Sequence, residues 1–175
     1  MHIESQNIIL RPIEHSDTPD IIRWRNNPQV KCNFVYQEAL TEAAHTHWLS
    51  GPVAEGRAVQ FIIIEKASMQ AIGSVYLRDI DYMNRKAEYG IFIGEDAARG
   101  KGIGRECARL VLDYAFKTLD LHRVFLRAFA DNEAALRSYQ NAGFVVEGCF
   151  RDDVCIDGKF RDMVFMACIA PIGEI

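Results

Sequence analysis

Residues 87–116, AEYGIFIGEDAARGKGIGRECARLVLDYAF, decide the fold, because they predict a strand, a glycine-rich turn and a helix in direct succession. The segment Ala87–Ile93 is short, apolar and rich in residues that favour strands, and Gly94 ends it. The turn occupies Arg99–Gly104. The helix that follows repeats apolar side chains at helical spacing, at Ile103, Cys107, Leu110, Val111 and Tyr114.

A glycine turn between a strand and a helix predicts a binding site for an anion. The backbone N–H groups of the first helical turn lack partners, and the helix dipole places positive potential there. Glycine lets a phosphate approach the backbone closely. We therefore expect the phosphates of a ligand to contact one continuous run of residues, Arg99, Gly100, Lys101, Gly102, Ile103, Gly104 and Arg105.

Two common phosphate-binding motifs do not fit this turn. The dinucleotide pattern G-x-G-x-x-G fails, because its last glycine is replaced by Arg105 when counted from Gly100 and by Cys107 when counted from Gly102. The P-loop pattern fails because Gly102 follows Lys101, where a Ser or Thr is needed for magnesium. The remaining pattern is Arg-x-x-Gly-x-Gly, which by itself also fits a helix start that only requires close packing.

Composition narrows the class of protein. The chain has 175 residues, of which 49% are hydrophobic and 25% charged, as in an ordinary globular domain. Its net charge of -4 argues against a general nucleic-acid binder. Five cysteines without a C-x-x-C pair predict reduced thiols in a cytoplasmic protein, with neither a metal site nor a catalytic cysteine. The longest strongly apolar run, Phe61–Ile64, is too short to span a membrane, and the N-terminus does not resemble a signal peptide.

The remaining segments extend the pattern into one domain, which we expect to span residues 1–175. A first helix should begin at Ser16 or Asp17 and end before Pro28, and a second should begin at Thr41 and end at Gly51-Pro52. Asp157-Gly158 predicts a hairpin turn near the end of the chain. The expected order of elements is β-α-α-β-β-β-α-β-α-β-β, with strands at 7–11, 58–65, 71–79, 87–93, 123–129, 144–150 and 163–169.

Residues 129–144, FADNEAALRSYQNAGF, carry a second motif, in which Asn132 opens a helix, Tyr139 lies one turn before its end and Gly143-Phe144 follow. Together with the Arg99–Gly104 turn, this motif resembles the GNAT superfamily of N-acetyltransferases. The resemblance implies an α/β fold with a mixed, mostly antiparallel central sheet flanked by helices. It also implies a V-shaped splay between the two central parallel strands and acetyl-CoA as cosubstrate, without a metal.

The resemblance also assigns residues to the cosubstrate and to the chemistry. The backbone of Ile91, Phe92 and Ile93 should pair with the pantetheine arm like an added strand, Gly90 or a neighbour should supply an oxyanion donor, and Asn132 should contact the pantetheine or its own helix.

Acetyl transfer needs a base for the amine, whose pKa is about 10.4, and an acid for the thiolate, whose pKa is about 8.5. We expect Glu88 to be the base and Tyr139 the acid. For Glu88, the alternatives are a carboxylate that only pairs with Arg85 or Lys86, or a proton relay through water in place of the base. For Tyr139, the alternative is a tyrosine of the core.

The N-terminal half of the sequence indicates which amine could accept the acetyl group. The run Arg23-Trp24-Arg25-Asn26-Asn27-Pro28, followed by His47-Trp48, resembles acetyltransferases that act on nucleotide-linked 4-amino sugars, such as those of pseudaminic acid synthesis. Later segments resemble the ribosomal-protein N-terminal acetyltransferases and the spermidine acetyltransferases equally well. We expect a wall of the substrate cleft, formed by Arg23, Trp24, Arg25, Asn26 and His47. A solvated helix end and ordinary packing are the structural alternatives.

Three functions remain open at this point. The first is acetylation of a small-molecule amine, with a UDP-amino sugar preferred because Arg23, Arg25 and Lys31 would attract its diphosphate and repel a polyamine. The second is acetylation of a protein N-terminus, and the third is CoA binding without catalysis. The expected partner is the small-molecule amine, a homodimer is kept open, and neither nucleic acid nor a membrane is expected.

Overall fold

The computed structural model describes residues 3–171. Their strands form an eight-stranded sheet in the order β1-β2-β3-β4-β5-β6-β8-β7. The strands are β1 Ile3–Glu4, β2 Ile8–Pro12, β3 Val59–Glu65, β4 Gln70–Asp81, β5 Lys86–Ile93, β6 Arg123–Phe129, β7 Val145–Ile156 and β8 Lys159–Ile169. The helices are α1 Thr18–Asn26, α2 Pro28–Lys31, α3 Glu42–Trp48, α4 Ile103–Lys117 and α5 Glu133–Ala142.

The expected splay lies at the centre of the sheet. Strands β5 and β6 are parallel and pair at three positions, Lys86 with Arg123, Ala87 with Val124 and Glu88 with Phe125. Both strands continue beyond the last of these pairs, but no further pairing joins them. The neighbouring pairs β4–β5 and β6–β8 are antiparallel, so the V-shaped opening is held between two regular ladders.

Each face of the sheet carries its own hydrophobic core. On one face, the odd-numbered residues of β5 from Ala87 to Ile93 pack with helix α4 in the larger cluster. On the other face, Phe92 packs with Ile21 and Trp24 of helix α1. The alternation of side chains along a strand thus places successive residues of β5 in different cores.

The structure differs from the expected elements at three places. Helix α2 was not predicted, because Pro28 was taken as a stop, whereas Asn27 caps a new turn by accepting a hydrogen bond from the Gln29 N–H at 3.0 Å. A helical turn at Leu49–Val53 contains the Gly-Pro pair that was expected to end the second helix. Strand β7 continues through the polar run 151–153, where a register shift and the left-handed backbone of Asp152 absorb the irregularity.

Candidate active site

The glycine turn before helix α4 has the backbone that the sequence predicts. Gly100 and Gly102 have φ angles of 74° and 80°, in the left-handed region that favours glycine. A Cβ on Gly100 would meet no atom within 4 Å, and one on Gly102 would meet only the Arg105 guanidinium, at 4.0 Å. The first turn of α4 therefore faces open space, into which a side chain at either glycine would project.

The charged residues of the turn have different partners. The Arg99 Nε donates to the backbone oxygen of Ile93 at 3.2 Å, and Arg99 Nη1 pairs with Asp96 at 2.9 Å. Lys101 pairs with Glu65 at 3.1 Å. Thus Arg99 ties the turn to the end of β5, whereas Lys101 points to a neighbouring strand.

The other two predicted residues of the turn differ in burial. Ile103 is buried in the core, so only its backbone is available to a ligand. Arg105 is exposed.

A cavity of about 430 Å³ joins this turn to the opening between β5 and β6. Of the residues predicted from the sequence, it is lined by Glu88, Ile91, Phe92, Ile93, Arg99, Gly100, Gly104, Asn132 and Tyr139. Segments far apart in the chain thus meet around one space beside β5.

Tyr139 reaches the cavity from helix α5. Its ring packs edge-on against Tyr89, with ring centroids 6.1 Å apart, and against Phe144, at 6.0 Å. Burial raises the pKa of Tyr139, so the hydroxyl keeps its proton at neutral pH. Asn132 caps the helix by accepting a hydrogen bond from the Ala135 N–H at 3.3 Å. A neutral phenol in this position can donate a proton to a leaving group.

Glu88 lies at the point where β5 and β6 separate, and its side chain is 10% exposed. Its carboxylate contacts Arg78 Nη2 at 2.8 Å and Arg127 Nε at 3.0 Å. Pairing with Arg85 or Lys86, the structural alternative considered from the sequence, does not occur, because Arg85 pairs with Asp120 at 2.6 Å. Both carboxylate oxygens are therefore engaged by guanidinium groups.

Sequence reasoning missed Arg78 and Arg127, although a strand register would have found them. Arg78 is directly opposite Glu88 in the β4–β5 ladder, and Arg127 lies two residues beyond Phe125, the β6 partner of Glu88. Side chains two residues apart on a strand share a face, so the three charged groups converge. The pattern becomes visible only when the pairing of β4, β5 and β6 is known.

One part of the cavity lining is aromatic. Phe34 and Tyr36, from the segment after α2, and Tyr76, from β4, line it together with Phe92. The ring of Phe34 contacts that of Phe92 edge-on, with centroids 6.0 Å apart. None of Phe34, Tyr36 and Tyr76 was predicted as a site residue. Phe34 and Tyr36 lie in the segment 32–40, which has no regular periodicity that would place its side chains, whereas Tyr76 lies in a predicted strand whose position beside β5 depends on the register.

The substrate wall expected from helix α1 needs correction, because neither Arg23 nor Trp24 lines the cavity. Trp24 is 1% exposed, lies beneath Gly94 and donates from Nε1 to Glu95 at 2.7 Å. Arg23 pairs with the same carboxylate oxygen at 2.7 Å and also with Asp20. The tryptophan is thus a core residue, and the arginine lies on the surface in an ion-pair network.

The rest of the expected wall also lies outside the cavity lining. Asn26 binds the backbone of Leu40 with both ends of its amide, at 3.0 and 2.7 Å, which fixes the segment after α2. Arg25 stacks on the ring of Phe34, with its guanidinium carbon 3.4 Å from the ring centroid. His47 is exposed on α3. Asn26 and Arg25 therefore act on the cavity through its lining and do not face it.

Metal ligation and membrane crossing were both considered for residues 3–171. No group of three or more His, Cys, Asp or Glu side chains in that range is arranged to hold a metal ion. Within the same residues, no helix combines the length and the apolar character that a membrane crossing requires.

The fold and the site together define a class of protein. A glycine turn at a helix N-terminus leads along a splayed parallel strand pair to a buried tyrosine, which is the arrangement of a CoA-dependent acyltransferase. The chain belongs to the acetyltransferase (GNAT) domain family, whose model matches residues 7–145. It is an acetyl-CoA-dependent N-acetyltransferase.

The chain is similar in sequence and in structure to individual acetyltransferases. The chain is 29% identical over 159 residues to the spermidine N(1)-acetyltransferase of Vibrio cholerae serotype O1, covering 91% of each chain. The crystal structure of the spermidine N-acetyltransferase from Vibrio cholerae in complex with CoA and spermine superposes with a TM-score of 0.85 at 27% identity, covering 93% of this chain and 95% of that one. A dodecameric structure of that enzyme in an intermediate state superposes at 0.79 with 27% identity, covering 93% of each chain.

These similarities correct the acceptor that the sequence favoured. The two Vibrio cholerae relatives described above, which cover almost the whole chain, are spermidine acetyltransferases, so the resemblance to enzymes of nucleotide-linked amino sugars is not supported. The structure gives a physical reason, because Trp24, which was expected in the wall of the substrate cleft, is buried in the core. Of the basic wall that was to attract a diphosphate, Arg23 is engaged in ion pairs and Arg25 is stacked on Phe34, and neither arginine lines the cavity.

Proposed function

We propose that the protein transfers the acetyl group of acetyl-CoA to a primary amine of a polyamine such as spermidine. The observation that carries the proposal is the part of the cavity that we call its acceptor end, where the aromatic side chains of Phe34, Tyr36 and Tyr76 line the same space as Glu88. Aromatic faces bind ammonium groups and methylene chains without requiring a carboxylate for each charge. The similarity to spermidine acetyltransferases over most of both chains supports the same acceptor class.

The residues present fit acetyl-CoA. The open glycine turn, which a side chain would fill, and the first N–H groups of α4 would hold its phosphates. The backbone at Ile91, Phe92 and Ile93 lies past the last β5–β6 pair, where it can bond to the pantetheine arm as an added strand does. Bound acetyl-CoA supplies a thioester carbonyl that an amine can attack.

The protein must manage two protons during this reaction. A polyamine nitrogen, with a pKa of about 10.4, has to lose a proton before its lone pair can attack. We propose that Glu88 receives this proton, directly or through a water, since Glu88 is the one carboxylate among the described residues that line the cavity. As the N–C bond forms and the C–S bond breaks, Tyr139 donates its hydroxyl proton to the departing thiolate, the acetylated nitrogen releases its second proton to water, and Tyr139 regains a proton from water.

The arginines around Glu88 limit how a polyamine can bind. Arg78 and Arg127 place two positive charges against one carboxylate, so the cluster keeps a net charge of about +1 at neutral pH. A second ammonium of the acceptor would be repelled there. We infer that the other ammonium groups extend away from the cluster toward Tyr36, whose side chain is 75% exposed at the cavity mouth.

The proposed acceptor is tested by steady-state kinetics with a panel of amines. Free thiol release from acetyl-CoA is followed with spermidine, spermine, putrescine, an N-terminal alanyl peptide and an amino acid. We expect spermidine or spermine to give the highest kcat/KM of the panel. A higher kcat/KM for the peptide or the amino acid would contradict the polyamine assignment and leave the acetyltransferase activity in place.

We also propose that copies of the chain associate through the hairpin of β7 and β8. Strand β7 forms an edge of the sheet, and large apolar side chains on the hairpin are exposed, including Val145, Phe150 and Phe160 at 67%, 53% and 65%. The dodecameric state of the Vibrio cholerae enzyme supports association. Light scattering of wild type and of Phe160→Glu should show a smaller particle for the variant, and equal masses would contradict this interface.

A further inference from the structure

The tyrosine on the acceptor side of the opening has a close relationship with a glycine on the next strand. Tyr76 of β4 is directly opposite Gly90 of β5. A Cβ built on Gly90 would lie 2.3 Å from Cζ and 2.4 Å from Oη of Tyr76. The phenol end of Tyr76 therefore occupies the space of a missing side chain, and it could not lie there if residue 90 were anything larger than glycine.

This position matters because of where the strands separate. The last β5–β6 pair is Glu88 with Phe125, so Gly90 is two residues into the opening. Tyr76 and Gly90 both line the cavity, as does Tyr139. Tyr76 shares its face of the sheet with Glu88, whereas Tyr139 packs against Tyr89 on the opposite face. The two tyrosines thus flank the reacting region from opposite faces of β5.

The ring of Tyr76 is held in a defined position. It packs edge-on against Trp48, with ring centroids 6.3 Å apart. Trp48 is fixed in turn, because its Nε1 donates to Gln60 Oε1 at 2.6 Å and Gln60 Nε2 donates to Ser74 Oγ at 2.8 Å. A chain of hydrogen bonds in the sheet therefore holds the phenol over Gly90, as a substrate-positioning group requires.

The Tyr76 hydroxyl has a free hydrogen-bonding capacity. It makes no hydrogen bond to any other residue within 3–171. The charged groups that act on it are Arg25, Arg78, Arg127 and Glu88. Burial raises the pKa of Tyr76, and the three guanidinium groups oppose that change only in part. The hydroxyl is therefore a neutral group at physiological pH, able to accept a hydrogen bond and to donate one.

We propose that Tyr76 binds the acceptor amine, its hydroxyl oxygen accepting a hydrogen bond from the attacking nitrogen so that the nitrogen lone pair points at the thioester carbonyl. The proposal rests on the acetyltransferase function and names a residue that sets the acceptor's position. Gly90 contributes to the same binding site, because its lack of a side chain allows the phenol of Tyr76 to reach the opening.

The test uses Tyr76→Phe, which removes only the hydroxyl, with Tyr82→Phe as the matched control. The Tyr82 hydroxyl bonds to the Gly56 backbone at 3.3 Å, and Tyr82 does not line the cavity. We expect Tyr76→Phe to raise the acceptor KM about tenfold, equivalent to about 1.4 kcal/mol, with the dissociation constant of acetyl-CoA unchanged. Tyr82→Phe should resemble wild type in both quantities.

A second variant, Gly90→Ala, tests the position of the Tyr76 ring. Gly90→Ala keeps the hydroxyl but displaces the ring, so it should raise the acceptor KM at least as much as Tyr76→Phe does. The Tyr76→Phe defect should also be the same at about pH 7 and about pH 9, because the hydroxyl does not ionise in that range. An acceptor KM within twofold of wild type for Tyr76→Phe, or a parallel weakening of acetyl-CoA binding, would overturn the proposal.

The acceptor used in this test keeps the two proposals distinguishable. Kinetics are measured with spermidine and with whichever other amine of the panel wild type acetylates best. If spermidine is not acetylated but another amine is, the polyamine assignment fails while the Tyr76 comparison is still decided on that amine. If wild type acetylates no amine although it binds acetyl-CoA, both proposals are overturned.

Discussion

The two ends of the cavity are built in different ways. At the cosubstrate end, the ligand would meet backbone groups of one continuous stretch, from Ile91 through the turn to Gly104. At the acceptor end, the lining comes from side chains of separate elements, such as Phe34, Tyr76 and Arg127. Backbone recognition tolerates many side chains and preserves one common ligand, whereas the acceptor end can change its chemistry by single substitutions. Substitutions at the two ends should therefore affect different kinetic constants.

The largest effect should come from the glycine turn. Gly102→Val places a β-branched side chain at a φ of 80° and into the space where a phosphate is expected. Strain of roughly 1–3 kcal/mol, together with the steric block, should weaken acetyl-CoA binding at least about 100-fold. Calorimetric titration measures this change.

Gly56→Val is the matched control, because Gly56 has a φ of 71° and no neighbouring atom within 4 Å of its Cβ position. It carries the same kind of strain but lies outside the cavity lining. If Gly102→Val bound acetyl-CoA as tightly as Gly56→Val, the turn would not be the phosphate site.

The second effect should be confined to the chemical step. Tyr139→Phe removes the proposed acid, so kcat should fall about 100-fold, within the range that general acid catalysis contributes. The dissociation constant of acetyl-CoA should stay close to that of wild type, because the ring remains packed against Tyr89 and Phe144. Stopped-flow single-turnover rates, compared with those of Tyr114→Phe in helix α4, measure the change. Equal single-turnover rates in the two variants would remove Tyr139 from the mechanism.

The third effect should depend on pH. Glu88→Gln should lower the rate about tenfold at neutral pH, where the acceptor amine is protonated, and less as the pH approaches the amine pKa of about 10.4. The control is Glu147→Gln, since Glu147 also pairs with an arginine, Arg123, but lies outside the cavity lining. A defect that is constant across the pH profile would show that Glu88 holds Arg78 and Arg127 in place and takes no proton.

The smallest expected effect is a pH dependence of the stability, caused by a buried histidine of helix α3. His45 of α3 is 3% exposed, and its Nδ1 lies 2.9 Å from Thr18 Oγ1. Burial lowers the pKa of His45, with a further contribution from His15. The unfolded chain therefore binds this proton near pH 6.5 while the folded protein does not. Stability should be full above about pH 6.5 and fall as the pH drops below it, by at most about 1.4 kcal/mol per unit.

Urea denaturation at several pH values checks this expectation. His45→Asn should flatten the acid side of the profile, whereas His47→Gln, which alters an exposed histidine two residues away, should keep it. The same acid slope in wild type and His45→Asn would assign the pH dependence to other groups.

The difference between the two ends also explains what the sequence could predict. Arg99–Gly104 and Asn132–Phe144 are local motifs, in which turn, cap and helix lie within a few residues, so the fold followed from them and residues for the cosubstrate side could be proposed. The boundaries of β6 were predicted to the residue. Local periodicity and capping contain that information.

The residues of the acceptor side could not be predicted from local motifs. The pairing of Arg78 and Arg127 with Glu88 depends on the register of three strands that are far apart in sequence. The cluster from Arg23 to Asn26 looked functional because polar and aromatic residues are adjacent there. The folded chain uses Trp24 in the core and Asn26 to hold Leu40. Composition alone cannot distinguish these structural roles from substrate contacts.

One measurement tests the central claim most directly, namely that the opening between β5 and β6 carries acetyl transfer to a polyamine. Protein loaded with acetyl-CoA is mixed with spermidine in a single turnover, and the products are identified by mass spectrometry. The account predicts one acetylated spermidine and one free CoA for each active site, with the product absent in Gly102→Val. Free CoA without an acetylated amine, or equal product from Gly102→Val and wild type, would contradict it.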